Sequence, residues 1–160
     1  MEKDAQSKIL VPIEFTMHSE AALVYAMKLA EMAKSQLLIL HVVHDPGDAP
    51  GFYAKQHKSK TLRKMEDIAA EQLDVFLKKI AKTSQLKKQL KGAKTKLVSG
   101  LPATRILEII ELEKPEQVVM GSQGRTSLHE FLLGSKTEQV VRLCPVPITI
   151  VKHPVVKAKK

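Results

Sequence analysis

Apolar residues fall along this chain in two kinds of run, short unbroken ones and longer ones at helical spacing, and the two alternate. Lys8 to Ile13 is a continuous apolar run that stops at Pro12 and Glu14, as a strand buried on both faces would. Ser19 is then the expected N-cap, with Glu20 in the first turn, of a helix carrying Ala22, Tyr25, Ala26, Leu29, Ala30 and Met32 to about Ser35. Leu37 to Val43 reads as a second buried strand. Turn signals at Asp45-Pro46-Gly47-Asp48 and Pro50-Gly51 mark a loop over His44 to Lys58. A long helix follows from about Ser59 to Ser84, with Leu62, Met65, Ile68, Ala69, Leu73, Phe76, Leu77 and Ile80 on one stripe. Lys94 to Val98 is the third strand. Gly100 and Pro102 turn the chain into a helix with Ile106, Leu107, Ile109 and Ile110 inward, ending near Lys114-Pro115. Gln117 to Met120 is the fourth strand, Gly134-Ser135 opens a last helix carrying Val140, Val141 and Leu143, and Pro147 to Val151 is the fifth strand.

Strict alternation of strand and helix predicts a parallel sheet covered by helices on both faces. Ligands of such open α/β sheets sit beyond the carboxyl ends of the strands, where the strand order reverses. If the first and fourth strands are neighbours, the Glu14 turn and the glycine turn after Met120 open on one crevice.

That glycine turn carries the chemistry. Val118-Val119-Met120 runs into Gly121-Ser122-Gln123-Gly124, and Gly134-Ser135-Lys136-Thr137 follows ten residues later. Backbone N–H groups at such a turn, joined by a helix N-terminus, favour an anion such as phosphate. Gly134-Ser135-Lys136-Thr137 is not a P-loop, because Lys is not next to the glycine and His129 stands where the earlier glycine is required. Gly121-Ser122-Gln123-Gly124 has the form of a KH-domain loop, but that loop joins two helices and this one follows a strand.

Other features narrow the choice. The 160 residues fit one domain, read as residues 1–152 with a basic tail over 153–160. No apolar run reaches the ~20 residues of a membrane helix. Met1 to Lys8 lacks an apolar signal core, and the single cysteine, Cys144, reads as a small buried thiol, so a cytoplasmic protein is expected. The net charge of +9 is concentrated in Lys78 to Lys96 and in the tail. Those stretches lack aromatic residues on which bases would stack, so nucleic acid is an unlikely partner. His41, His44 and Asp45 do not complete a metal-ligand set, and no metal site is expected. Ser122, Thr126 and Ser127 have no His/Asp pair placed to activate them, so no catalytic residue is assigned and efficient catalysis is not expected.

The pattern Gly121-x2-Gly124-x9-Gly134-Ser135 resembles the nucleotide motif of the universal stress protein family, in its ATP-binding branch. Lys8 to Thr16, Leu40-His41-Val42-Val43 and Cys144 to Val151 resemble the family's first strand and acidic turn, its second strand and its closing strand. The resemblance spans about residues 7 to 152 and implies a Rossmann-like five-stranded parallel sheet in the order 3-2-1-4-5. It also implies an ATP-binding stress-response dimer joined through the last strand, Pro147–Val151, with ATP bound with or without Mg²⁺. Carried over, Pro12, Ile13, Glu14 and Val42 would form the base pocket, with Thr16 beside them, and Met120 and Gly121 would lie by the ribose. Gly124, Gly134, Ser135 and Thr137 would cradle the phosphates, with Arg125 at the terminal phosphate and Lys136 adjacent. The family usually has aspartate where this chain has Glu14. A non-nucleotide interaction module on the same fold, and a slow ATP hydrolase of the related adenine-nucleotide group, are the alternatives.

Overall fold

The structure is a computed structural model. It describes residues 6–44, 58–123 and 133–153, with the backbone alone over 58–64. The loop expected after His44, together with Gly124, Arg125 and the tail from residue 154, lies outside the described residues.

Five strands alternate with helices, in chain order β1 (Lys8–Pro12), α1 (Met17–Ala33), β2 (Gln36–Val43), α2 (Lys58–Thr83), α3 (Lys87–Lys91), β3 (Lys94–Ser99), α4 (Pro102–Glu113), β4 (Gln117–Gly121), α5 (Ser135–Leu143) and β5 (Ile148–Val151). The strands pair in parallel in the order β3-β2-β1-β4-β5. The order reverses between β1 and β4, so the expected switch point exists and both turns flank it.

The unbroken apolar strands are explained by two cores, one on each face of the sheet. Ile9, Val11, Ile13, Leu37, Ile39 and Val119 point to one face, where Leu23, Met27, Phe76 and Ile80 of α1 and α2 cover them. Leu10, Leu38, Leu40, Val42, Val118 and Met120 point to the other, under Ile106, Ile110 and Val140 of α4 and α5. Successive strand residues face opposite ways, so a central strand flanked by two helix layers must be apolar at every position.

Several local expectations shift. Thr16, not Ser19, caps α1: its Oγ1 accepts from the Ser19 amide at 3.2 Å, and Ser19 lies buried inside the first turn. The short helix α3 was not foreseen. In α5 only Val140 of the expected trio is buried, and Val141 and Leu143 are exposed. Ile68 of α2 is also exposed. Gly100 has φ +140°, a conformation glycine adopts freely, and Pro102 then occupies the first helical position of α4.

Candidate functional site

The crevice is built from three chain ends that the topology gathers at the switch point. The first is the β1–α1 turn. Ser19 Oγ accepts from the Glu14 amide at 2.8 Å, while Thr16 Oγ1 caps the helix. Between them Phe15 sits at φ +60°, left-handed for a bulky residue. Its ring lies 4.2 Å from that of His41 and packs edge-on against Phe76 at 5.7 Å, and these contacts hold the strained turn in place. His41 is itself anchored, with Nδ1 2.8 Å from the Ile13 carbonyl. Two hydroxyls and a ring stack thus fix where the Glu14 carboxylate starts.

The second end is that of β2. His44 follows Val43, with Nδ1 3.4 Å from the Val42 carbonyl. The third is the pair formed by the end of β4 and the start of α5. Thr137 Oγ1 donates to the Gly121 carbonyl at 3.3 Å, and the Gly134 amide donates to the Ser122 carbonyl at 2.9 Å. Gly121 and Gly134 therefore meet, as the motif spacing requires. Gly134 gives its N–H to Ser122, and Ser122 gives its own to Val151 at 3.0 Å. The amides that α5 cannot satisfy internally are those of its first turn, Ser135, Lys136 and Thr137, and the N-cap residue, Gly134, brings no side chain to that turn. A helix start of this kind favours an anion.

Lys136 ties the three ends together. Its Nζ is 3.7 Å from Glu14 Oε1 and 3.0 Å from His44 Nε2. An ammonium only donates, so His44 Nε2 accepts and the ring proton sits on Nδ1, facing the Val42 carbonyl. His44 entered the sequence reading only as half of a histidine pair with His41, and no local spacing signal links it to residue 136.

The remaining expected residues are placed as follows. Pro12, Val42 and Met120 are buried beside the crevice. The Ile13 side chain belongs to the core, and its amide is bonded to the Leu40 carbonyl at 2.8 Å. Thr16 serves as a cap. Among the described residues there is no group of three or more His, Cys, Asp or Glu side chains suited to a metal, and no helix long and apolar enough to cross a membrane. Cys144 is partly buried at the end of α5, its Sγ 3.3 Å from the Val146 carbonyl.

The opposite end of the sheet carries a separate charge cluster. Glu113 pairs with Lys8 at 2.8 Å and with Lys96. Hydrogen bonds from those two ammonium groups hold its carboxyl down at about 2.

Fold and crevice together define an open parallel α/β protein whose polar cleft lies where the strand order reverses. The model of the universal stress protein family matches residues 6–152, and the chain belongs to that family. It is 30% identical over 155 residues to universal stress protein MJ0577 of Methanocaldococcus jannaschii, covering 91% of this chain and 94% of that one. It is 31% identical over 153 residues to universal stress protein YxiE of Bacillus subtilis, covering 91% and 99%. The solved structure of MJ0577 superposes with a TM-score of 0.71 over 92% of this chain and 96% of that one, at 28% identity. Two more distant family structures share the fold and were solved with nucleotides. One, from Archaeoglobus fulgidus, is in complex with dAMP (TM-score 0.60, 14% identity, 92% and 98% coverage). The other is in complex with cAMP (TM-score 0.55, 21% identity, 92% and 97% coverage).

Proposed function

We propose that this chain binds ATP in the crevice and acts as a nucleotide-responsive stress protein in the form of a homodimer. The observation that carries the reading is the convergence of the Glu14 turn, the end of β2 and the first turn of α5 at the switch point. A carboxylate on one wall accepts hydrogen bonds from a base or sugar, and helix amides on the other donate to phosphate oxygens. Pro12, Ile13, Glu14 and Val42 line the base side, with Thr16 supporting the turn, and Met120 and Gly121 flank the ribose. Ser135, Lys136 and Thr137, next to Gly134, receive the phosphates, and the reading assigns Gly124 and Arg125, which lie outside the described residues, to the same ligand. The nucleotide-bound relatives support the class of ligand.

The dimer reading rests on β5. This edge strand is only partly buried at every position. Pro147 and Val151 turn their carbonyls toward β4, so Ile148 and Ile150, out of phase with them, turn theirs to the open edge. Such an edge is a template for a second copy of itself.

The test is a melting curve with and without ATP. Ligand at a hundredfold excess over its Kd stabilises the native state by about 2.7 kcal/mol. Ser135→Pro removes one amide hydrogen from the seat at a helix position that proline tolerates. It should leave the unliganded melting temperature near wild type and weaken ATP by about tenfold or more, the worth of a hydrogen bond to a charged group. Absence of any ATP-dependent shift or binding in the wild type would overturn the reading.

A further inference from the structure

Lys136 is the second residue of α5, and its side chain leans back over the helix N-terminus. The ammonium therefore reaches from the start of α5 to the Glu14 carboxylate, with His44 Nε2 as its acceptor. Resting on the nucleotide reading above, we infer that Lys136 supplies the positive charge a divalent cation would bring, so that this chain binds ATP without metal.

The charge balance leads there. Glu14 alone would face an incoming polyphosphate as a like charge. With Lys136 beside it the pair is neutral, and the partial positive charge of the α5 N-terminus adds a field that favours an anion. A bound Mg²⁺ is held by one or two carboxylates together with substrate phosphates. Among the described residues the crevice carboxylate that would serve is Glu14, and it already faces this ammonium. The described residues of the crevice thus do not fit a resident Mg²⁺. His44 offers the ammonium a neutral nitrogen, and a phosphate oxygen offers it an anion, a stronger acceptor for a charged donor. An arriving ATP takes the ammonium from His44 and keeps it within reach of Glu14.

The experiment is a calorimetric titration of the full chain with ATP, in EDTA and in excess Mg²⁺, at matched ionic strength. Wild type should bind with affinities within about threefold in the two buffers. Lys136→Met keeps the apolar stem and loses the charge. It should bind about tenfold more weakly in EDTA, the scale of one lost charge-assisted contact, and recover most of that loss with Mg²⁺. Lys136→Arg should retain metal-free binding. Recovery by Mg²⁺ separates a charge role from a merely structural one. Wild-type binding that requires Mg²⁺ would overturn this inference and leave the ATP reading standing, as would a Lys136→Met protein unaffected in EDTA. Wild type that binds no ATP in either buffer removes both.

Discussion

Gly121 lies directly against the backbone of His18. A Cβ built on Gly121 would stand 2.9 Å from both the carbonyl carbon and the carbonyl oxygen of His18, closer than such atoms approach. The first glycine of the nucleotide motif is thus required by the close passage of α1 over the end of β4. The obstacle is helix backbone, which cannot swing aside as a flexible side chain would.

Gly121→Ala should therefore destabilise the fold by about 1–3 kcal/mol, the usual range for overpacking a close-packed contact. Urea denaturation measures it, read as a lower midpoint at unchanged slope. A midpoint equal to wild type would show that α1 shifts freely.

The acid side of the stability curve should carry two marks of named groups. The His18 imidazole is held below its ordinary 6.5, first by burial and then by the charge of nearby His153, whose ring stands 5.8 Å away. Its Nδ1 is buried and has no hydrogen-bond partner among the described residues. The unfolded chain takes up this proton first as the pH drops, so the contribution of His18 is intact above 6.5 and erodes below it. Glu113 acts in the same direction lower down. Its native carboxyl lies at about 2 against an ordinary 4.5, so its stabilisation is complete above 4.5 and drains away as the pH falls toward 2. Stability measured against pH should lose the upper slope in His18→Gln and the lower one in Glu113→Gln.

The proposed dimer makes its own prediction. Ile150→Pro removes an amide hydrogen that points away from β4, so the ladder within the sheet survives while pairing at the open edge does not. Sedimentation should show a dimer for wild type and a monomer for the variant, with the circular dichroism of the sheet retained. A variant that stays dimeric would place the interface elsewhere.

Much of the architecture was legible because it is written in local periodicity. β1, β2 and β4 are unbroken apolar runs, and Pro102 and Lys114 bracket α4 as helix signals do. The glycine spacing pointed to the ends of β4 and α5, which do meet. Local signals failed where neighbours decide. Ser19 is a better cap on paper than Thr16, yet the turn after β1 is set by the αL backbone of Phe15, whose ring is held by His41 and Phe76. Helix α3 has few apolar residues and depends on Leu90 reaching the core beside α1. In α5, Val141 and Leu143 look like core residues, but a nine-residue helix lying on a sheet buries only a narrow stripe.

From its sequence alone, then, this protein was determined to be an alternating α/β chain with a glycine segment at the strand ends, because buried strands, amphipathic helices and tight turns each need particular residues within a few positions. Only the folded arrangement decided that Lys136 faces Glu14 and His44, that Ser122 takes the Gly134 amide, and that Gly121 makes room for α1. Those contacts join segments distant along the chain. Their geometry is set by how two helix layers settle on a twisted sheet, which no local pattern encodes.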